Sequence, residues 1–591
     1  MPARIEEYAI IGDTTTSALV SADGSVDWAC LPRSDSHACF AALLGDPQHG
    51  RWLLTPDRPH TTTRRYLDHS FVLETTHTTE EGVVRIVDAM PIGDERADIV
   101  RRVEGVSGSV RMRHEWVVRF GYGKVRPWVH RIVDPHGHPA LHAIAGPDML
   151  VLRGARLPTA GDGRHSDVFD VGEGEVMAWS TTWFPGWQAV PEPLDIDERI
   201  EATRIRWNQW ASTCQEDGAY QEEYLRSLLV LRLLTDAETG GIVAAPTTSL
   251  PEALGGERNW DYRFCWLRDA SLTLEALLEA GFTEEAEEWR RWLLRAVAGD
   301  PEDLQIMYRV DGGRELPERV LAHLPGYEGS LPVRVGNAAV DQRQSDVLGE
   351  VMSALHVARE RGLDESLDSW ALQRKLVAAQ TKTWEQPDNG IWEIRGEPQH
   401  FTHSKIMVWA ALDRAVRAME HYGLPGPMDE WRQLRDEVHA QVLERGWDDE
   451  LGSFVQFYGA KHTDASLLQL VRVGFLPADD SRVLATIAAI ERELLVDGYL
   501  LRYRTEHDVD GLPPGEAPFL ACSFWLAEAY ARCGRKDDAK AMLDRLCGLA
   551  NDVGLLSEEY DPRDGRMLGN FPQALSHLAL VGAVSAYRKA R

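Results

Sequence analysis

The hydrophobic pattern of this 591-residue chain changes its period near residue 200. Before that point, short runs rich in Val, Thr and aromatic residues alternate between apolar and polar, as in SALVSADGSVDWACLP and FVLETTHTTEEGVVRIVDAMP. Turns containing Gly and Asp separate the runs, such as the turn at Asp23-Gly24. A period of two with tight turns predicts antiparallel strands. We therefore expect a β-sandwich over residues 1–198.

After residue 200, apolar residues recur at the spacing of amphipathic helices. The pattern predicts a linker helix within 199–216 and about twelve further helices over 217–591, which follow one another in pairs. Paired helices of similar length predict a closed double ring, with six inner helices surrounded by six outer ones. Loops at one end of such a ring would surround a pocket.

Charge and composition exclude several classes of function. The net charge is -30 and the acidic residues are spread along the chain, which disfavours nucleic acid and anionic membranes as partners. No stretch is apolar enough to span a bilayer, and the N-terminus lacks the apolar core of a secretory signal. The 7 cysteines show no C-x-x-C spacing, which favours free thiols over disulfides or a zinc site. We expect a cytoplasmic protein without metal or cofactor.

The signatures of phosphate-binding loops, zinc proteases and α/β-hydrolases are absent from the sequence. The 20 tryptophans favour a sugar ligand, since sugar rings pack on flat aromatic faces, although core packing explains most of them. Glycoside hydrolysis needs only two carboxyl groups on opposite sides of the scissile bond. With 93 acidic residues, composition alone does not identify that pair.

Three segments concentrate polar and aromatic residues: ERNWDYRFCWLRDASLTLEAL, DNGIWEIRGEPQHFTHSKIMVW and GLLSEEYDPRDGRMLGNFPQALSHLAL. In the first, aromatic residues recur before Arg268 and Asp269 at a predicted helix start. In the second, a dense loop precedes a helix expected near Ser404. The third lies between two helices. Each also has a structural interpretation, in which Asp269 and Ser404 cap helices and the third segment is a solvated loop.

These three blocks, together with the opening YAIIGDTTTSALVSADGSVDWACLP, resemble glycoside hydrolase family 15, which comprises glucoamylases, glucodextranases and actinobacterial and archaeal trehalases. The resemblance covers essentially the whole chain. It implies a β-sandwich followed by an (α/α)6 barrel. It also implies that Glu393 is the general acid and Glu558 the general base, while Arg268 and Asp269 grip the non-reducing glucose. Further substrate contacts are expected from Tyr262, Trp266, Trp392, Arg395, His403, Lys405, Arg502 and Glu559.

An inverting mechanism assigns different charges to the two glutamates. The acid and base must stand about 6.5–9.5 Å apart, which leaves room for a water molecule. Glu393 must carry a proton near neutral pH, and we expect Trp392 beside it to raise its pKa by desolvation. Glu558 must be ionised, and we expect polar neighbours to keep it so. A closed pocket admits only a chain end, so the enzyme should be exo-acting.

Trehalose is the favoured substrate among small α-glucosides, because the match is strongest to actinobacterial members. The ends of isomaltose, dextran, maltose or starch are the alternatives. A sugar-binding regulatory protein on an inactive scaffold and a polysaccharide lyase are alternatives from other classes, and both fit the paired glutamates poorly. His400, His403 and Lys405 have either a substrate-lining or a structural role. An oligomer is possible, and we expect the β-domain to pack on the barrel and to contribute a loop to the pocket rim.

Overall fold

A computed structural model describes residues 2–93, 95–134, 137–300, 303–507 and 510–590. In these residues, the N-terminal domain is an antiparallel sandwich of 15 strands. The strands are β1 (Tyr8–Gly12), β2 (Ser17–Ser21), β3 (Ser25–Cys30), β4 (Ala38–Phe40), β5 (Arg51–Pro56), β6 (Thr61–Tyr66), β7 (Leu73–Thr78), β8 (Gly82–Ala89), β9 (Ala97–Val117), β10 (Trp128–Val133), β11 (Pro139–Ala145), β12 (Asp148–Gly154), β13 (Thr159–Gly161), β14 (Arg164–Gly172) and β15 (Val176–Pro185).

The long strand β9 belongs to both layers of the sandwich. Its first half pairs with β8 and β15, and its second half pairs with β5 and β14. Trp52, Ile99 and Leu150 are buried in the hydrophobic core, and the buried Trp28 donates its indole N–H to the Pro246 carbonyl of the barrel domain. Gly24 has a φ of 79° in the turn from β2 to β3, a backbone conformation that glycine adopts without strain.

Helix α1 (Ile196–Ala211) leads from the sandwich to the barrel, whose twelve helices in the described part of the chain form two concentric rings. The inner ring is α3 (Leu267–Glu279), α5 (Val347–Glu360), α7 (Thr402–Tyr422), α9 (Gln469–Arg472), α11 (Leu520–Arg532) and α13 (Ala574–Lys589), and α13 closes it against α3. The outer ring is α2 (Gln221–Leu233), α4 (Thr283–Ala296), α6 (Leu367–Gln380), α8 (Met428–Arg445), α10 (Ser481–Leu494) and α12 (Lys536–Cys547).

The two rings differ in sequence because they differ in burial. Inner helix α7 is buried along nearly all of its length, whereas outer helix α8 buries only Trp431, Val438 and Val442. The expected β-sandwich and (α/α)6 barrel are therefore confirmed. No helix among the described residues has the length and apolar character needed to cross a membrane.

Two predicted helix starts differ by about two residues. Helix α7 begins at Thr402 with Phe401 at its N-cap position, so Ser404 lies inside the first turn. Helix α3 begins at Leu267, which places Asp269 in its first turn. Both helices start at the end of an extended segment, and neither N-cap side chain accepts a hydrogen bond from the helix.

Candidate active site

A cavity opens at the end of the barrel where the inner helices begin. Residues just before or within the first turns of α3, α7, α11 and α13 surround it. The side chains along its wall are Ala244, Glu252, Arg258, Trp260, Tyr262, Trp266, Arg268, Asp269, Asn337, Ala339, Ile391, Trp392, Glu393, Ile394, Arg395, Arg502, Tyr503, Asp510, Leu512, Phe519, Gln573 and Leu575.

The extended segment 258–266 forms one side of the cavity. Its backbone pairs with residues 245–249, for example through the Ser249 N–H and the Trp260 carbonyl at 2.8 Å. Because successive side chains of an extended chain point in opposite directions, Trp260 and Tyr262 line the cavity while Asp261 and Arg263 point away from it. The aromatic residues of this segment therefore share one face.

The β-domain supports the rear of that segment. The buried Arg263 guanidinium donates to the Asp261 carboxylate at 2.7 and 2.9 Å, to the Tyr122 hydroxyl at 2.9 Å and to the Ser36 carbonyl at 2.8 Å. The β-domain thus packs on the barrel. In the described part of the chain it supplies none of the cavity-lining side chains, so the expected rim loop is not found there.

Glu393 lies in the loop before α7 with its carboxyl group against Trp266. The Trp266 indole N–H donates to Glu393 Oε1 at 2.5 Å. Burial raises the pKa of Glu393, and the Arg268 charge and the Trp266 hydrogen bond offset this only in part. Trp392 was expected to touch this carboxyl group, but its indole N–H donates to Asp464 at 2.9 Å. Trp266 is therefore the aromatic partner of Glu393.

Glu558 is fully buried behind Tyr262. It accepts the Tyr262 hydroxyl at 2.7 Å and the Asn570 backbone N–H at 3.2 Å. Burial, followed by the charge of Glu252, raises the pKa of Glu558 to about 8. The expected polar neighbours are present, and they lower this pKa only in part. Two hydrogen bonds and the more distant Arg502 do not offset complete desolvation.

Tyr262 and Trp266 join the two carboxyl groups. Their rings meet edge to face at a centroid distance of 5.5 Å, and each donates a hydrogen bond to one of the glutamates. Two glutamates that lie far apart in sequence are thus connected through neighbouring residues of a single extended segment. Glu393 lies in the cavity wall, and Glu558 lies directly behind Tyr262, which is also part of that wall.

Arg268 and Asp269 stand beside Glu393 at the start of α3. Arg268 Nη2 donates to Asp269 at 2.9 Å, and Arg268 Nη1 donates to the Ile391 carbonyl at 2.8 Å. Both side chains are largely buried, and Arg268 Nε has no hydrogen-bond partner. A paired guanidinium and carboxylate can donate to and accept from adjacent sugar hydroxyls.

Arg502 also lines the cavity, where it neutralises buried carboxylates. Its Nη2 lies 2.7 Å from Glu252, 2.6 Å from Glu516 and 3.8 Å from Glu559. The three carboxylates have oxygens within 4.8 Å of one another, a donor set that would suit a cation. The guanidinium already supplies positive charge at that place. Glu559 lies behind the cavity wall, and burial raises its pKa well above the usual range.

The structure does not bring His403 and Lys405 to the cavity wall. The Lys405 ammonium donates to the backbone carbonyls of Trp384 and Gln386, so it stabilises the loop before α7. His403 is buried in α7, and burial lowers its pKa to about 3. A dense run of polar residues does not show which side chains face the ligand, because successive residues of a helix turn point in different directions.

Sequence reasoning missed other lining residues, among them Glu252, Arg258, Tyr503 and Asp510. The alternation within RNWDYRFCW could have identified Arg258, because it shares its face with Trp260 and Tyr262. Glu252, Tyr503 and Asp510 lie in loops without local periodicity, so no signal in the sequence distinguishes them from solvated residues.

Comparison with known proteins identifies the family of this chain. Residues 218–585 match the model of glycosyl hydrolases family 15, and residues 1–167 match a trehalase-like N-terminal model. A trehalase of Mycolicibacterium smegmatis is 38% identical over 98% of this chain and 90% of its own length. A trehalase of Thermoplasma volcanium is 36% identical over 98% of this chain and 92% of its own length.

A solved bacterial glucoamylase, crystallised with acarbose, has the same fold. It superposes with a TM-score of 0.74 at 14% identity and covers 100% of this chain and 95% of its own. The sandwich and the closed double ring thus agree with this fold, and the family model matches more than half of the chain. This chain belongs to glycosyl hydrolases family 15 and is a glycoside hydrolase.

Proposed function

We propose that this chain is an inverting trehalase in which Glu393 is the general acid and Glu558 the general base. The observation that supports the proposal is the segment 258–266, from which Trp266 donates a hydrogen bond to Glu393 in the cavity wall and Tyr262 donates one to Glu558 behind it. The choice of trehalose is supported by the relatives named trehalase, which match this chain over nearly its whole length.

In the proposed reaction, protonated Glu393 donates its proton to the glycosidic oxygen as the bond from that oxygen to the anomeric carbon breaks. Glu558 accepts a proton from a water molecule, whose oxygen bonds to the same carbon from the opposite face. One glucose therefore leaves as the β-anomer and the other as the α-anomer. Since burial raises the pKa of Glu393, this carboxyl group retains its proton closer to neutral pH than an exposed glutamate does.

The remaining side chains bind and orient the sugar in this proposal. Arg268 and Asp269 hold hydroxyls of the glucose that undergoes substitution, deep in the cavity. Trp266 and Trp392 cover that glucose with apolar surface and exclude bulk water. The enzyme acts on a chain end or a disaccharide in the cytoplasm, and it is exo-acting.

The test of the substrate is proton NMR of the purified enzyme with trehalose, isomaltose, maltose and maltotriose in parallel. Early β-glucose from trehalose alone supports the whole proposal. Early β-glucose from another substrate retains the mechanism and changes the substrate. If the substituted glucose first appears as the α-anomer, the inverting mechanism is wrong. If none of the four substrates is cleaved, the trehalase proposal is wrong.

The test of the two roles uses α-glucosyl fluoride, whose leaving group needs no proton. Glu393→Gln should abolish trehalose hydrolysis and retain hydrolysis of the fluoride, whereas Glu558→Gln should abolish both. The two variants are matched, because each replaces one carboxyl group by an amide of the same shape. Loss of fluoride hydrolysis in Glu393→Gln, or its retention in Glu558→Gln, contradicts the assignment.

A further inference from the structure

The cavity has a deep end and an exposed end, with Glu393 between them. At the deep end, the side chains of Asp269 and Arg268 are 5% and 10% exposed. Arg395 follows Glu393 by two residues, and its side chain is 32% exposed. The backbone turns at Glu393, whose φ is 58°, and Arg268 holds the Ile391 carbonyl on the deep side of that turn. The sugar on the leaving side of the bond that Glu393 protonates therefore lies towards Arg395.

Arg395 is held in place from two directions. Its Nη2 donates to Glu318 at 2.9 Å, and its guanidinium lies over the ring of Trp260 at 4.3 Å from the centroid. Trp260 is itself fixed, because its indole N–H donates to Glu252 at 3.0 Å. A guanidinium has five N–H groups, and the contact with Glu318 uses one of them. The others are available to a hydroxyl-rich ligand at the cavity mouth.

The backbone of Arg395 is fixed as well. Its N–H donates to the Asp510 carbonyl at 3.1 Å, and Gln342 donates to the carbonyls of Glu393 and Ile394 at 3.1 and 3.0 Å. The acid and Arg395 therefore belong to one rigid loop. A sugar that contacts Arg395 is aligned with the proton donor, which is what selection for the leaving group requires.

We propose that Arg395, supported by Trp260 and Glu318, binds the leaving glucose of the disaccharide and is the residue that determines specificity on that side of the acid. The proposal rests on the proposed function, since it assumes that Glu393 protonates the bond between the two sugars. In trehalose, Arg395 would donate hydrogen bonds to hydroxyls of the leaving glucose. In α-glucosyl fluoride the leaving group is a single fluorine atom, so these hydrogen bonds are absent. Arg395 should therefore matter for a disaccharide and not for α-glucosyl fluoride.

The experiment compares Arg395→Met with Arg334→Met. Both keep an apolar side chain and remove a guanidinium over Trp260, since Arg334 lies 4.6 Å from the same ring centroid, but Arg334 is not part of the cavity wall. We expect Arg395→Met to lower kcat/KM for trehalose by about 10- to 100-fold, the effect of losing one or two charged hydrogen bonds. Hydrolysis of α-glucosyl fluoride should change less than about threefold. Arg334→Met should change neither substrate by more than that.

Each outcome has one meaning. If Arg395→Met cleaves trehalose as the wild type does, or loses both substrates equally, Arg395 does not bind the leaving sugar. If Arg334→Met shows the same selective loss, the effect belongs to the Trp260 ring and the assignment to Arg395 is wrong. If the wild type cleaves the fluoride but not trehalose, the proposed function fails by itself. The same two variants then test Arg395 on the disaccharide that NMR identifies.

Discussion

Replacing Tyr262 by Phe removes one atom, the hydroxyl oxygen that donates to Glu558 Oε1 at 2.7 Å. This hydrogen bond favours the ionised carboxylate and lowers a pKa that burial has raised to about 8. A hydrogen bond to a charged group contributes about 1.5–3 kcal/mol, and one pKa unit corresponds to about 1.4 kcal/mol. The variant should therefore raise the pKa of Glu558 further.

The assay is kcat for α-glucosyl fluoride as a function of pH, because this substrate needs the base and no proton donor. The direction of the pH dependence follows from the proposed role of Glu558, which acts as a base only when it is ionised. The rate is lost as the pH falls through its pKa. At pH 7 the variant should be slower than the wild type by about 10- to 100-fold, and the difference should shrink as the pH rises.

Tyr503→Phe is the matched control. Tyr503 also lines the cavity, but its hydroxyl donates to Asp510 at 2.7 Å and not to Glu558. In Tyr503→Phe, the acidic limb of the plot of kcat against pH should lie at the same pH as in the wild type. An unshifted limb in Tyr262→Phe would refute the reasoning, and so would an equal shift in Tyr503→Phe.

Three further substitutions test the surroundings of the site. Gly569→Ala would place a Cβ 2.4 Å from Glu558 Oε2 at a φ of 74°, so kcat should fall about 100-fold, with circular dichroism showing a retained fold. Lys405→Met removes the donor of two hydrogen bonds to backbone carbonyls. Urea titration should show a loss of about 2–4 kcal/mol in unfolding free energy, and kcat should be unchanged. A loss of kcat would contradict the position of Lys405 outside the cavity. Arg502→Met removes the guanidinium that lies within 2.7 Å of Glu252 and Glu516, and the same titration should show a loss of about 3–5 kcal/mol. An unchanged midpoint would contradict the ion pairs.

The barrel could be predicted because its two rings leave opposite patterns in the sequence. The outer helix α8 at Met428–Arg445 shows a narrow apolar stripe among charged residues. The inner helix α13 at Ala574–Lys589 shows a nearly continuous apolar run. Helix ends were less predictable, because extended segments with aromatic N-cap residues, such as Phe401, precede α3, α7 and α11.

The contacts within the site could be predicted only where the contacting residues are close together in the sequence. Arg268 and Asp269 form one contact, and the aromatic alternation before them marks one face of an extended segment. The charge state of Glu558 was not predictable, since it depends on Glu252 and Arg502, which lie far away in the chain. Their contacts arise from the closure of the ring, and nothing local in the sequence distinguishes them.

The segment 258–266 also limits how this enzyme can be recombined. Arg263, held by Asp261, donates to Tyr122 of the β-domain, whereas Tyr262 between them donates to Glu558. A chimera that joins this barrel to the β-domain of a relative keeps this support only if that domain supplies an acceptor for Arg263 in the place of Tyr122. Exchanging the β-domain therefore also exchanges a contact that supports the active site. Chimeras of this architecture should keep Tyr122, Asp261 and Arg263 together.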